Sequence, residues 1–529
     1  MSTRPNDGHE HAGKPHHVDD ALPEGAVVDG ETLTRAIDDI FDVVVVGSGA
    51  AGGTAAYTLA SAGLSVGIVE EGPWMRTRDM QEDVHDVFSR VMRMSGLQML
   101  RGKAFMPVLQ GRCVGGSTLV NSAIAWRIPE DVVDEWHARF GLGTHITMRA
   151  LEPQFDALER DLSVSEVSDE VLGENNRLFV EQAKRRGIVT QPMRRYDRGC
   201  KGSGQCLTGC PHAAKQGMSV TYVPWTLARG GRIFTSCRVE RVDVRGGRAR
   251  SVLARSATGH HVTVHARYAV VVAASTVQTP NILRRSGVRS RALGRHFQVH
   301  PALSLGGLFD RPIEMTFGAT QGAESIHFRS TDRFKLETIS LPPHLAGARL
   351  PGVGYELGSR LAQFGHVAVW AAQVRSRAEG TVGEAWGGGD RIRYSVEEDD
   401  LRAARKATAL IARMMFEAGA REVWPSIFGV PSILRSIDEV ALVDEAPLDP
   451  RAYNFIATHL FGAARMGHDA SSSVVDPDFR VHDTEGLFVV DSSVFPTNLG
   501  VNPQHSIMGM SKLAASRLAA RIRGGRIAA

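Results

Sequence analysis

Three of the five cysteines in this 529-residue chain, Cys200, Cys206 and Cys210, share one stretch, CKGSGQCLTGCPHAAK. Their spacing is C-x5-C-x3-C, and Gly202, Gly204 and Gly209 let the backbone bend enough for three sulfurs to face one centre. Three readings follow: three thiolates holding a 3Fe-4S cluster, a zinc ion with His212 as fourth ligand, or a loop of buried free thiols. Cys210 and His212 stand close together for tetrahedral binding by both. Cys113 and Cys237 lie in strand-like or turn-like segments and read as small core residues. A second constellation is G-x-G-x-x-G at Gly47, Gly49 and Gly52, with Glu70 further on. The first glycine suits a tight turn, the second a close approach of backbone to a pyrophosphate, and the third helix packing, while the acidic residue can accept hydrogen bonds from a ribose. A third feature is Asn502-Pro503 ahead of QHSIMGMSKLAASRLAARI, which predicts a helix with Asn502 as its N-cap and Pro503 at its first position. A helix N-terminus there would favour negative charge beside it.

The elements around the glycines have the order such a site needs. FDVVVVG reads as an apolar strand, AAGGTAAYTLASAG as a small-residue helix and LSVGIVE as a second strand. Further strand-like segments fill residues 232 to 274, and the chain ends in a long amphipathic helix. The cofactor-like blocks are separated by more irregular stretches, so the domain is expected to be discontinuous. Residues 1–38 read as a flexible tail, in which His9, His11, His16 and His17 are solvated. Composition is that of a soluble globular protein, 43% hydrophobic and 22% charged, and a formal charge of +3 gives no reason to expect nucleic acid or an anionic surface as partner. The sequence shows neither a membrane-length apolar run nor an N-terminal leader, and with few cysteines the expected location is cytoplasmic.

GRCVGGSTLVNSAIAWR (111–127), AASTVQTPNILRRSG (273–287), GRHFQVHP (294–301), HLFGAARMG and LFVVDSSVFPTNLGVNPQHSIMGM together resemble the glucose-methanol-choline (GMC) family of FAD oxidoreductases. Cholesterol-oxidase-type members are the most similar in the G-G and G-V-N-P segments. The resemblance implies an α/β (α+β overall) fold: a Rossmann-like FAD-binding domain over 39–130, 215–300 and 450–529, and a substrate domain on an antiparallel sheet over 131–214 and 301–449. It implies that Gly115, Gly116, Asn121 and Ser122 run beside flavin and pyrophosphate, that Val239 touches the adenine, and that Asp491 meets the ribityl end. Asn502 and Pro503 would lie at the flavin edge. Members that tether FAD covalently use a histidine where this chain has Val120, so the expected flavin is non-covalent. His459 and Asn502 fall where the family keeps its catalytic pair. An imidazole is suited to take the hydroxyl proton as hydride leaves an alcohol carbon for flavin N5.

The cysteine loop resembles that of bacterial FAD glucose and fructose dehydrogenases, in which it holds an iron–sulfur cluster, and related loops occur in members resembling long-chain alcohol oxidases. The expected acceptor is accordingly oxygen or an electron-transfer protein. The expected activity is FAD-dependent oxidation of an alcohol to an aldehyde or ketone. Segment 336–373, apolar with few acidic groups, favours a lipophilic or sterol-like alcohol over a sugar. The competing readings are a sugar dehydrogenase that passes electrons through an iron–sulfur cluster, an NAD-linked reductase, which leaves the C-terminal motifs unused, and a non-catalytic flavin or metal-binding redox scaffold. His505 has no assigned role, and no carboxylate base is placed by motif.

Overall fold

Four consecutive valines present apolar side chains to both faces of a strand, which suits a sheet covered on both sides. In the computed structural model, which describes residues 21–80 and 83–527, Val43 to Val46 are buried in strand Ile37–Val46. That strand pairs in parallel with Val66–Val69 on one side and His261–Val272 on the other. The sheet continues through Arg232–Thr235 to Val27–Asp29 at one edge, and through Arg248–Ser256 to Cys237–Arg245 at the other; Leu487–Val489 also joins His261–Val272. Helix Ala50–Ser61 packs on the C-terminal helix Gln504–Arg523, close contact being possible because Ala51, Gly52, Gly53, Ala55 and Ala56 are small.

The second sheet runs in the order Gln98–Leu100, Met106–Val108, Ile456–Phe461, Gln298–Phe309, Val367–Val374, Phe334–Thr338, Ala323–Ser325, Gln191–Pro192, with Ala420–Trp424 also on Gln298–Phe309. Its pairs are antiparallel except Met106–Val108 with Ile456–Phe461. Helix Glu398–Glu417 covers one face and starts with a reciprocal Glu397–Asp400 capping box. Each sheet has its own large core.

Six segments sit differently from the sequence expectation. Val27–Asp29 lies in what was read as tail, yet it forms an edge strand because Val27 and Val28 pair with Ile233 and Phe234. Histidines 9, 11, 16 and 17 lie outside the described residues. Helices Glu130–Phe140 and Met148–Asp161 put Val132, Trp136, Leu151 and Phe155 into the core of the first sheet, since Trp136 packs edge-on against Phe495 and the apolar stripe of Met148–Asp161 meets the C-terminal helix. Conversely, Gln98–Leu100, Met106–Val108 and Ile456–Phe461 belong to the second sheet. Among the described residues no helix is long and apolar enough to cross a membrane.

Candidate active site

A cavity of about 580 Å³ is lined by residues of both sheets. Gly47 turns the chain at its floor with φ +92°, and a Cβ there would come within 2.5 Å of the Ala273 carbonyl oxygen. A Cβ on Gly52 would sit 1.9 Å from the Gly47 oxygen. Gly49 differs: its φ is −65°, and the nearest atom to an added Cβ is Gly116 Cα at 3.9 Å. Neither backbone strain nor a protein neighbour demands glycine at 49; the position opens into the cavity. Across from it, Gly115 and Gly116 have φ +88° and +51°, in the left-handed region that favours glycine.

Ser48 joins the two glycine motifs. Its Oγ donates to Glu70 Oε2 at 2.7 Å and accepts from Gly115 N–H at 3.0 Å. Glu70 also accepts from the Ser48 and Gly72 amides, each at 2.9 Å. Burial pushes its carboxyl pKa up, against these hydrogen bonds. Gly49, Glu70, Gly116, Asn121, Ser122, Val239, Asp491, Asn502 and Pro503 all line the cavity. Asn121 donates to Gln504 Oε1 at 2.5 Å and accepts from the Ala123 amide at 3.0 Å. Asp491 accepts from Ser275 N–H at 3.0 Å, Thr279 Oγ1 at 2.5 Å and Ser493 N–H at 2.8 Å. It thereby holds Ser275 at φ +82°. Gln110 Oε1 and Arg112 Nε, from two further lining residues, are buried without a protein partner. An open cradle at Gly49 beside unpaired buried polar atoms has the shape and polarity that the pyrophosphate and ribose of FAD require. The residues present therefore fit FAD.

His459 stands on strand Ile456–Phe461 in the cavity wall. Its Nδ1 lies 3.2 Å from Nδ1 of His300, which is 1% exposed and on the neighbouring strand. Burial and then the charge of Lys335 pull the His459 pKa down to about 3. Burial likewise lowers that of His300. With both rings neutral, one Nδ1 must donate to the other. His300 Nε2 lies 3.2 Å from Asn498 Oδ1, to which it donates when protonated, and 2.9 Å from the Gly500 N–H, from which it accepts when it is not. When His300 Nε2 carries the proton toward Asn498, His300 Nδ1 accepts from His459 and frees His459 Nε2 as a base. When the proton sits on His300 Nδ1, His459 Nε2 is a donor instead. His300 thus sets the tautomer of His459, a role absent from the sequence reading. Replacing His300 by Phe is expected to lower kcat about tenfold or more by releasing that control, as steady-state kinetics would show.

Asn502 is not the helix cap expected of it. The helix begins at Gln504 with Pro503 as N-cap and no side-chain cap bond. Asn502 Oδ1 instead accepts from Lys335 Nζ, a charge-assisted bond stronger than capping. Lys335 and Glu337, both buried, were also missed; the alternation F-K-L-E-T, which puts both on one strand face, was the available signal. Glu337 and Gln373 line the cavity, so its wall does contain a carboxylate. His505 lies in the core: Nδ1 meets Tyr196 OH at 2.6 Å and Nε2 meets Glu159 at 3.2 Å.

Of the three readings of the cysteine loop, the structure gives no support to a metal site. Among the described residues no group of three or more His, Cys, Asp or Glu side chains is arranged to hold a metal ion. Cys200, Cys206, Cys210 and His212 border a cavity of only about 10 Å³, the room of about one water. Cations occupy the place beside the sulfur: Arg195 donates to Cys206 Sγ at 3.2 Å. Burial raises the Cys206 pKa, but Arg195 and Lys215 outweigh it and bring the thiol to about 7. Lys215 Nζ donates to the carbonyls of Leu119 (2.5 Å), Asn121 (2.8 Å) and Cys206 (2.6 Å). The loop therefore buttresses the segment 119–122 that borders the cavity. Protein purified without oxygen is expected to contain less than one iron per flavin; about three irons with labile sulfide would overturn this assignment. Cys113 and Cys237 are core residues whose thiols burial pushes up.

The model for "GMC oxidoreductase" matches residues 41–302 in its N-terminal part and 389–511 in its C-terminal part. An uncharacterized GMC-type oxidoreductase of Mycobacterium tuberculosis is 36% identical over 525 residues, 98% of this chain and 82% of the relative. A long-chain-alcohol oxidase of Arabidopsis thaliana, FAO1, is 25% identical over 90% of this chain and 66% of its own length. The solved structure of formate oxidase superposes with a TM-score of 0.72 at 16% identity, covering 92% of this chain and 99% of that one, and shares the fold. With these glycine cradles and family matches over most of its length, the chain belongs to the GMC oxidoreductase family.

Proposed function

We propose that the protein oxidises a lipophilic alcohol, CH–OH to aldehyde or ketone, with oxygen as electron acceptor. The observation that carries this reading is the meeting of His459, from the second sheet, and Asn502, from the loop before the last helix, in the wall of one cavity that also contains the glycine cradle. FAD, when bound, supplies a two-electron acceptor for the hydride. His459, neutral at physiological pH, accepts the hydroxyl proton at Nε2 in the tautomer in which His300 Nε2 carries its proton toward Asn498. The Asn502 carboxamide orients the substrate oxygen. Leu303, Ile339, Leu341, Leu345 and Ile456 form apolar lining that excludes water and suits an alkyl chain. Only part of the apolar segment 336–373 serves this purpose, since Leu336, Trp370 and Ala372 are buried in the second core. The similarity to a plant long-chain-alcohol oxidase supports a long-chain alcohol as substrate and oxygen as acceptor. Val120, in the cavity wall, offers no nucleophile, in keeping with non-covalent flavin.

The test is anaerobic mixing with 1-decanol, cholesterol or D-glucose. Decanol is expected to bleach the flavin band, and air to restore it with one peroxide per aldehyde. Bleaching by glucose alone would overturn the substrate class, and bleaching without peroxide on re-aeration would overturn the acceptor.

A further inference from the structure

Beneath the cavity wall lies a buried ion cluster that the proposed chemistry does not yet use. Lys335 is 0% exposed, an unusual position for an ammonium. It forms an ion pair with Glu324 at 2.5 Å, donates to Glu337 Oε2 at 3.3 Å, and donates to Asn502 Oδ1. One ion pair and two hydrogen bonds thus surround an ammonium, which has no lone pair with which to accept. The carboxylates are anchored in turn: Glu324 Oε1 accepts from Gln191 at 3.1 Å, and Glu337 Oε1 from Gln373. The Trp126 ring lies 5.9 Å from the ammonium. Burial lowers the Lys335 pKa, but the two carboxylates overcompensate and keep it charged.

One end of the Asn502 carboxamide is therefore defined by a group that can only donate. The oxygen must face Lys335, and the Nδ2 hydrogens must face away from it, in a residue that lines the cavity. We propose that Lys335, held by Glu324 and Glu337, is a positioning residue that locks Asn502 with its NH2 as the hydrogen-bond donor to the substrate oxygen. This rests on the functional reading above, and it specifies what that reading left open, namely which end of the amide serves the reaction. A donor aimed at an oxygen that gains negative character as its proton leaves stabilises the transition state more than the ground state. Without the ammonium, the amide is free to present its oxygen, which would repel that charge.

The experiment compares holoenzyme of wild type, K335M, N502A and K335M/N502A. With 1-decanol, K335M and N502A are each expected to lose about 100-fold in kcat with KM changed less than about threefold, the size seen for loss of one preorganised donor. The double variant should be no slower than N502A alone, because Lys335 acts through Asn502. Multiplied losses in the double variant would overturn the proposal. In asparagine-15N-labelled holoenzyme, the side-chain amide signal missing from N502A identifies Asn502, and K335M should shift it. An unshifted signal would overturn the proposal whatever the substrate is. Should K335M fail to fold with two carboxylates left unpaired, E324Q/K335M removes one charge and carries the same expectations. Full activity in N502A would count against the functional reading, while the labelled amide still decides the role of Lys335.

Discussion

Replacing His459 by Ala is expected to slow flavin reduction by alcohol about 1,000-fold while flavin content and the fold are retained, the loss typical of a deleted general base. The alanine leaves space at the end of strand Ile456–Phe461 but no unpaired carbonyl or amide, because the His459 side chain's hydrogen-bond partner is His300, not backbone. His300 keeps its contacts with Asn498 and Gly500, so the second sheet should stay intact. Rapid mixing without oxygen measures the bleaching rate directly and separates it from reoxidation. An unchanged bleaching rate would remove His459 from the chemistry. A base with a pKa near 3 is weak at rest, yet it suffices here. The hydroxyl proton leaves in step with the hydride, so the base is not asked to form a free alkoxide, and the negative character the oxygen gains as its proton leaves is met by the Asn502 donor.

The same depressed pKa fixes a pH dependence. An ordinary imidazole would give kcat/KM an acid limb centred near pH 6.5. With His459 brought down to about 3 by burial and by Lys335, the base form persists, and kcat/KM should stay level between about pH 5 and 8. For stability the sign runs the same way. Between pH 6.5 and about 3 the unfolded chain binds a proton at His459 that the native state refuses. Its contribution is present in full above pH 6.5 and is lost as pH falls toward the native pKa. Denaturant titrations at pH 7 and pH 5 should show the fall, and His459→Ala should reduce it.

What the sequence displays most openly are relations contained in a short stretch. Val43 to Val46, the glycines at 47, 49 and 52, and Glu70 form one strand–helix–strand unit, and the steric needs of each glycine can be argued from neighbours within it or from the shape of a phosphate. His459 and Asn502 are recognisable through the residues flanking them. Ser48 hides between two glycines, its role visible only once Gly115 is placed against it. His300 reaches His459 across 159 residues, and Lys335 reaches Asn502 across 167, so the tautomer and the amide orientation arise only when the second sheet forms. That same tertiary contact took Asn502 from the helix cap its local sequence favours. Helices Glu130–Phe140 and Met148–Asp161 show why boundaries fail as well. An amphipathic stripe says that a helix is covered on one side, not which of two cores covers it. The cysteine spacing left three readings open for a related reason, since spacing says that three sulfurs can converge but not whether Arg195 and Lys215 stand beside them.

Gly49→Val is expected to yield a colourless protein that folds normally, with FAD affinity reduced about 100-fold or more by a side chain standing where phosphate must approach. At φ −65° no strain opposes a branched residue, and the added Cβ meets only Gly116 Cα at 3.9 Å. Losing a glycine stiffens the unfolded chain, which stabilises by about 0.4–1 kcal/mol, while valine is a poorer helix N-cap than glycine by a similar amount. The apoprotein should therefore melt within a few degrees of wild-type apoprotein. Gly52→Ala makes the contrast. Its Cβ would lie 1.9 Å from the Gly47 oxygen, so either strand or helix must shift, costing about 1–3 kcal/mol with or without flavin. Thermal melting of both apoproteins, followed by titration with FAD, distinguishes a glycine required by the ligand from one required by the chain. Should Gly49→Val melt as low as Gly52→Ala, the cradle at 49 would be a packing feature of the fold, and the case for FAD lying across it would fall to the remaining wall residues.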